Sequence, residues 1–247
     1  MQRGYWFVAA LILTLVAGCG EPQVDLTYST DGNDLIVQAD STGGLVPEAF
    51  RQSHIPLFRL YGDGRVIWTQ WAGSRTEVWE GTLSQAEIAA LLKWIADEGF
   101  FGLEAHYTVK NPPTDMPNDC VRVNLVDTQK TVCEYYDGAP KAFEMIYGRL
   151  TSGGGVTSVH PYEPASGWVM AEAITWDPAP DGIPWPESLA PSPSGMGEGT
   201  WVEDRTLAYL WQERLERGPW MVYQDGEGYY GLVLQVPGLM PEAPQEP

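Results

Sequence analysis

The clearest hydrophobic pattern in the chain lies in residues 82–107 and predicts an amphipathic helix followed by a pair of phenylalanines. Apolar residues recur there at the spacing of one helix face, at Ile88, Leu91, Leu92 and Ile95. Ser84 and Glu87 have the spacing of a capping box, which satisfies free amides at the start of a helix. Gly99 can take the positive φ that ends one. The phenylalanine pair is interpreted as core packing against a sheet rather than as a ligand groove.

Segments of alternating apolar and polar residues predict antiparallel β-hairpins on both sides of this helix. Turns that contain glycine, asparagine or aspartate separate the strands, as tight hairpins require. The predicted strand pairs are residues 24–28 with 35–39, 57–61 with 65–68, 120–125 with 130–136, and 220–223 with 229–235. Further strands are predicted at 77–80, 159–162 and 168–174, and further helices at 140–150 and 204–217.

The order of these elements predicts an α+β fold of two small units, each with antiparallel β-hairpins packed against one or two amphipathic helices. A glycine run at 153–155 marks the boundary, so the units are expected at 24–151 and 157–237. Residues 177–197 are rich in proline, glycine and serine and predict a long irregular loop, either a lid or a poorly ordered excursion. Residues 238–247 predict a flexible tail.

Residues 1–18 have the composition of an export signal peptide. Arg3 supplies a positive start, and residues 7–16 form an apolar run that is too short to cross a bilayer. The small residues directly before Cys19 resemble a bacterial lipobox. This resemblance implies cleavage before Cys19, a diacylglyceryl thioether on its sulfur and an acyl chain such as palmitate on its amine. Residues 19–23 would then form a lipid-anchored tether. An ordinary secretory signal is the alternative, and it would also export the chain.

The chain that remains after this leader is strongly acidic. Of 14 Lys and Arg residues only Arg3 lies in the leader, so residues 19–247 carry 13 basic and 33 acidic side chains, a net charge of −20. Nucleic-acid binding is excluded, because it requires clustered cations that release counterions. Solubility of a surface-tethered protein explains the charge. The alternative is an acidic face for a cationic partner, since Asp and Glu outnumber Arg 14 to 3 from residue 157 onward.

Cys120 and Cys133 are expected to form a disulfide, because both lie on the strands of one predicted hairpin in an exported protein. They point to the same face of the sheet when the loop between the strands has an even number of residues. The two are directly opposite when the turn lies at 126–127 and diagonal when it lies at 127–128. Only the direct pairing allows the bond without distortion.

The sequence contains no pattern that is typical of a metal site, a cofactor site or a catalytic nucleophile. His54, His106 and His160 lie in separate connections without a second ligand at metal-binding spacing. A phosphate loop and a serine in a strand-to-helix elbow are also missing. We therefore expect no metal and no cofactor. Acidic residues are so abundant that pairs suited to glycoside hydrolysis are expected by chance. Asp115 and Asp119 are the best candidates among them for a catalytic role.

Four stretches of the chain resemble those of a group of uncharacterised exported lipoproteins of monoderm bacteria. They are GGLVPEAF at 43–50, LYGDGRV at 60–66, the helix with its phenylalanine pair, and the closing W-x-x-Y-x-x-G-x-x-Y at 220–229. The resemblance covers most of the chain after the leader. Because these motifs are turns and core positions, it implies an exported two-part α+β body and no activity.

The leading hypothesis is a non-enzymatic binding or interaction module, lipid-anchored to the outer face of the cell membrane, or to the outer membrane of a diderm source. Its partners would be the bilayer, through Cys19, and an envelope protein or glycan. Trp176 and Trp185 are the candidate binding face, because a proline-rich loop presents them at little cost in ordering entropy. The alternative is an envelope hydrolase that cleaves glycan with paired carboxylates.

Overall fold

The computed structural model describes residues 24–175, 181–241 and 243–245, so the leader, Cys19 and Trp176 lie outside the described residues. The strands are β1 (Leu35–Gly43), β2 (Phe58–Tyr61), β3 (Arg65–Ala72), β4 (Arg75–Thr82), β5 (His106–Thr108), β6 (Pro117–Asn124), β7 (Gln129–Tyr135), β8 (Thr157–Pro161), β9 (Gly167–Ala173), β10 (Ile183–Pro184), β11 (Thr200–Val202), β12 (Met221–Asp225) and β13 (Gly228–Gln235). The helices are α1 (Glu48–Gln52), α2 (Gln85–Asp97), α3 (Lys141–Thr151), α4 (Pro193–Met196) and α5 (Asp204–Arg217). Two mostly antiparallel sheets with helices agree with the predicted α+β class.

The first sheet has eight strands in the order β5-β7-β6-β1-β2-β3-β4-β8. The predicted hairpins β2–β3 and β6–β7 are confirmed, and only β5 and β7 pair in parallel within this sheet as described. Helices α2 and α3 cover one face of this sheet, and α2 does so with the apolar stripe that the sequence predicted. The first core contains Ile88, Leu92 and Ile95 of α2, Phe143, Ile146 and Leu150 of α3, and Val37, Phe58 and Val121 of the sheet.

Helix α2 begins and ends as its sequence predicts. The Ser84 amide donates a hydrogen bond to the Glu87 carboxylate at 2.7 Å, and the Ser84 hydroxyl accepts one from the Glu87 amide at 3.3 Å, which confirms the capping box. Gly99 has a φ of 82°, and the chain then forms a short 3-10 turn, Phe100–Gly102. The Phe100 side chain is fully buried and packs edge-on against Phe101, with ring centroids 5.6 Å apart. The core-packing interpretation of this pair is therefore confirmed.

The disulfide between Cys120 and Cys133 is present. In the β6–β7 hairpin Asn124 pairs with Gln129, and the Leu125 amide donates to the Thr128 carbonyl, so the turn lies at 126–127. This register places the two cysteines directly opposite each other, with Cα atoms 4.1 Å apart. The direct pairing is therefore the one that forms.

The second sheet has five strands in the order β10-β12-β13-β9-β11 and faces the side of the first sheet that α2 and α3 leave uncovered. Helix α5 lies between the two sheets and contacts β4 of the first and β12 and β13 of the second. The second core therefore combines side chains of three layers. It contains Tyr61, Ile67 and Val78 of the first sheet, Leu207, Leu210 and Trp211 of α5, and Val169, Tyr223, Leu232 and Leu234 of the second sheet.

The predicted boundary at 153–155 does not separate two independent sheets. Strand β8 follows it directly, yet β8 pairs with β4 and completes the first sheet. The glycines themselves are packed against aromatic rings: a Cβ atom on Gly153 would lie 3.1 Å from the Trp68 ring, and one on Gly154 would lie 2.9 Å from Phe58. This run is a close-packed turn, and the two-unit arrangement that it suggested is not confirmed.

The two ends of the described chain also differ from the prediction. Residues 24–28 form no strand, although Val24, Leu26 and Tyr28 pack against the first core. Residues 238–247 were expected to be a flexible tail, but Leu239 and Met240 are buried in the second core. The Arg59 guanidinium donates to the Gly238 carbonyl at 3.0 Å and helps to hold this segment between the sheets.

Candidate functional site

A groove bordered by exposed apolar side chains lies between α1 and the outer face of the second sheet. Its volume is about 870 Å³. One wall is the α1 segment, the floor is formed by β9 and β13, and the remaining edge comes from the loop after α4 and from Trp220. A concave, open surface of this size is large enough to receive several side chains of a ligand.

Helix α1 depends on tertiary contacts, because five residues are too few for an isolated helix in water. Its C-terminal end is held from several sides. The Ser53 hydroxyl donates to the Ala49 carbonyl at 2.6 Å, and the Gln235 side chain of β13 donates to the Gln52 carbonyl at 3.0 Å. The wall of the groove is thus fixed to its floor by a side chain of the floor strand itself.

Arg214 of α5 donates a third hydrogen bond to the end of α1, to the Ser53 carbonyl at 2.9 Å. This guanidinium is buried, and burial lowers its pKa to about 10. A cation near the carbonyl end of a helix interacts favourably with the helix dipole. Arg214 therefore positions α1 from the interior of the protein.

His54 ties the segment after α1 back to the first sheet. Its Nε2 atom lies 2.7 Å from Oδ1 of the buried Asp40 on β1. The same oxygen accepts from the Ser41 amide at 2.9 Å, and Oδ2 accepts from the Gln38 side chain at 3.1 Å. All of these contacts are within one structural polar cluster, so His54 acts as an anchor for the groove wall.

The floor of the groove is the outward face of two paired strands, β9 and β13. Met170 of β9 is opposite Val233 of β13, and Glu172 is opposite Gly231. The Trp220 ring lies directly on Gly231, where a Cβ atom would be 2.1 Å from the ring. A glycine is required at this position, since any side chain would displace the tryptophan.

Three glutamates supply the charge of the groove: Glu48 on α1, Glu172 on β9 and Glu198 after α4. The hydrogen bond from Arg51 lowers the pKa of Glu48, which also accepts from Gln52 at 3.0 Å. Glu172 and Glu198 are exposed, and within the described part of the chain neither side chain forms a hydrogen bond or an ion pair. Two of the three acidic groups are thus free to receive a cation.

Exposed apolar side chains continue the groove surface along the segment before and within α1. Phe50, which lines the groove, is 42% exposed, and the neighbouring Leu45 and Val46 are 84% and 48% exposed. Single exposed apolar residues are ordinary, but a cluster beside an apolar groove is typical of an interaction site.

Trp185, one of the two residues of the sequence-based candidate face, is not on the surface. Trp185 is only 9% exposed, and its ring packs edge-on against Tyr223 with centroids 5.2 Å apart. Its indole N–H donates to the Leu189 carbonyl at 3.2 Å, so the proline-rich loop folds over the second core and buries the ring. This corrects the expectation that the loop exposes Trp185. Trp176 and Cys19 lie outside the described residues.

The carboxylates singled out from the sequence do not line the groove. Asp115 has a φ of 62° in the exposed connection before β6. Asp119 lies on β6 beside the Tyr147 hydroxyl, whose pKa is raised by burial first and then by the charge of Asp119. Neither residue lines the groove or the smaller cavity between β4, β8 and α5.

A second, smaller cavity of about 320 Å³ lies between β4, β8 and α5. Its base is formed by Tyr162 and Trp211, which are largely buried and belong to the second core. Burial raises the pKa of Tyr162 to about 12. At its rim the Arg75 guanidinium pairs with Glu77 at 3.1 Å, so this cavity, unlike the groove, is lined by a cation as well as by glutamates.

In the described ranges, no cluster of three or more His, Cys, Asp or Glu residues could hold a metal ion. None of the helices in those ranges has the length and apolar character needed to span a membrane. No protein-family model matches the chain, and no curated protein matches it at a significant level. The groove is therefore interpreted from its own chemistry.

The groove residues were missed by the sequence analysis, although one signal was present. Leu45, Val46 and Phe50 are apolar residues in a glycine- and proline-punctuated connection, where polar residues are usual. Their exposure could have been suspected from that mismatch. Glu172, Glu198 and Trp220 carried no local signal, because only long-range contacts bring them together: β9 pairs with β13, the Trp220 ring lies on Gly231, and the Ala171 amide donates to the Gly197 carbonyl.

Proposed function

We propose that this protein is an exported lipoprotein, anchored through Cys19, whose folded body is a non-enzymatic binding module that uses the groove between α1 and the second sheet. The observation that carries the proposal is the open apolar groove, bordered by exposed Phe50 and by two glutamates without partners in the described chain. The lipobox resemblance supports the anchor and its place on the outer face of the cell membrane, or on the outer membrane of a diderm source.

The position of the groove is suitable for a membrane-anchored receptor. The Val126 amide donates to the Thr27 carbonyl, so the chain enters the fold beside the β6–β7 turn. The α1 segment leaves after Gly43, which pairs with Pro117 at the opposite end of β6. Eight residues of strand separate these ends by roughly 27 Å at ~3.4 Å per residue. A tether at residues 19–23 would thus leave the start of the groove wall far from the lipid.

The anchor is tested by replacing Cys19 with Ser in the full precursor. We expect the wild-type protein to fractionate with membranes and to show the mass of a cleaved, acylated chain. The variant should be released or remain an unprocessed precursor. Unchanged mass and unchanged membrane partitioning would show that Cys19 is not lipidated.

The binding role is tested in intact cells with a photo-crosslinking amino acid at position 50. Position 136 is the matched control, because Tyr136 is 54% exposed and outside the groove. We expect a discrete crosslinked product from position 50 alone, and its loss when Gly231→Val displaces Trp220 from the floor. Identical patterns from positions 50 and 136 would contradict a binding role for the groove.

The second candidate function is a glycan hydrolase. It is favoured by one observation, the presence of Glu172, Glu198 and Trp220 in the same groove, because carboxylates beside an aromatic ring suit a sugar substrate. If this function is correct, purified protein should release soluble fragments from cell-wall glycan. Glu172→Gln and Glu198→Gln should each abolish that release, whereas a binding module should release nothing.

A further inference from the structure

The groove has the chemistry of a receptor for one class of ligand. We propose that it binds a cationic amphipathic segment of a partner polypeptide, an inference that rests on the proposed function. Its floor presents the half-buried Met170 and the Trp220 ring beside the buried Val233, and its wall presents Phe50. An apolar stripe on a ligand would bury this surface, as when an amphipathic helix lies in a groove.

The negative charge of the groove determines which charge a ligand must carry. Lys, Arg and His are not among the described residues that line it, whereas Glu172 and Glu198 lack partners within the described chain. Arg51 lies nearby on α1, but Glu48 accepts a hydrogen bond from its Nε atom at 3.0 Å. A ligand that carries Lys or Arg beside its apolar stripe would therefore gain ion pairs at the rim.

Other occupants of an apolar groove fit this surface less well. A second copy of the chain would bring another net charge of −20 to an acidic rim, and like charges oppose that contact. Anionic lipid headgroups and nucleic acid are repelled for the same reason. The chain's own leader carries a single cationic side chain, Arg3, so it could form few ion pairs with the acidic rim. A cationic polypeptide is the occupant that satisfies both the floor and the rim.

The test uses protein that lacks residues 1–19, which retains every described residue and avoids lipid or detergent, to which such peptides also bind. The probe is a fluorescein-labelled peptide of about 16 residues, roughly four helical turns, with Leu on one face and Lys on the other. A second peptide has the same composition in scrambled order, and a third has Gln in place of Lys. Binding is followed by fluorescence anisotropy at low and high salt.

We expect only the amphipathic Leu/Lys peptide to bind, with an affinity that falls about tenfold or more from low to high salt. Combined Glu172→Gln and Glu198→Gln should weaken it about tenfold, and Phe50→Ser should do the same through lost apolar contact. The matched controls are Glu104→Gln with Glu144→Gln, two exposed acids outside the groove, and Tyr136→Ser. These controls should change the affinity less than twofold.

Several results would overturn the inference. Equal weakening by the Glu104 and Glu144 pair would show attraction to net charge instead of to the groove. Equal binding of the Gln peptide would remove the charge requirement, and displacement by soluble wall glycan would identify a sugar site. If no peptide binds but crosslinking at position 50 persists, the partner chemistry is wrong while the proposed function stands. If no peptide binds and no crosslink forms at position 50, the groove has no role in the function.

Discussion

Individual glycines show most directly what composition cannot reveal. A glycine run has the same composition in a flexible linker and in a turn that packs against rings, so the run at 153–155 was interpreted as a boundary. The tertiary structure decides between these uses. A Cβ atom on Gly154 would lie against Phe58, whereas one on Gly155 would have no other heavy atom within 4 Å. The two neighbours therefore differ in role although their sequence context is the same.

We predict that Gly154→Ala strongly destabilises the protein. Gly154 has a φ of 66°, and a Cβ atom there would lie 2.9 Å from the Phe58 ring, so both backbone strain and steric overlap oppose the change. The expected loss is roughly 2–4 kcal/mol in the free energy of unfolding. Gly155→Ala is the control, because its φ of 89° gives strain without overlap and an expected loss of about 1–2 kcal/mol. Equal losses in urea denaturation would contradict the packing role.

Arg214 is a buried cation whose hydrogen bond to the Ser53 carbonyl holds the end of α1. Its pKa is lower in the folded state than in the unfolded chain, so burial of the charge opposes folding at every pH below about 10. The penalty is relieved only as the pH rises above about 10. A pKa shift of this size lowers the free energy of unfolding by about 3 kcal/mol at neutral pH.

We predict that Arg214→Met leaves the global free energy of unfolding within about 1 kcal/mol of the wild type. The desolvation cost that is removed offsets the lost charge-assisted hydrogen bond to Ser53, worth about 1.5–3 kcal/mol. Helix α1 should nevertheless loosen, which is measured as faster amide hydrogen exchange in residues 49–54. Arg217→Met on the exposed side of α5 is the control and should not change that exchange. Unchanged α1 exchange in the Arg214 variant would disprove its positioning role.

At the level of elements, helices with strong local signals were predicted and short ones were not. Helix α2 has an apolar stripe, a capping box and a glycine stop, and all three are present in the structure. The five residues of α1 have no such pattern and become helical only because Ser53, Gln235 and Arg214 hold their end. Thus the element that forms the groove wall is one that local sequence does not specify.

The capping box of α2 gives a pH-dependent prediction. Hydrogen bonds from Ser84 lower the pKa of Glu87 below 4.5, so its contribution to stability is complete above the unfolded value and is lost as the pH falls through the folded one. Ser84→Ala should cost about 1 kcal/mol at pH 7. That difference from the wild type should shrink in urea denaturation near pH 3. A cost that is the same at both pH values would show that the charge of Glu87 does not matter.

For the whole molecule, a signal of two-sided burial was available in β3. Val66, Ile67 and Trp68 are consecutive apolar residues and all are buried. In a strand with one solvent-exposed face, apolar and polar residues alternate, whereas a continuous apolar run is typical of a strand that is covered on both faces. Ile67 contributes to the second core and Val66 to the first. The long-range pairing of β8 with β4 had no comparable local signal, because register across distant strands depends on the assembled sheet.

This shared sheet leads to a prediction about fragments. A chain of residues 24–151 lacks β8, α5 and the second sheet, and it would expose Tyr61, Ile67 and Val78, which are buried in the intact protein. Exposed apolar patches of this kind promote loose packing and association. We therefore expect the fragment alone to aggregate or to unfold without a sharp transition. Addition of residues 152–245 as a separate chain should restore cooperative unfolding, because it supplies the missing strand and the covering layer. A fragment 24–151 that is monomeric and unfolds cooperatively by itself would instead establish the two independent units that the sequence suggested.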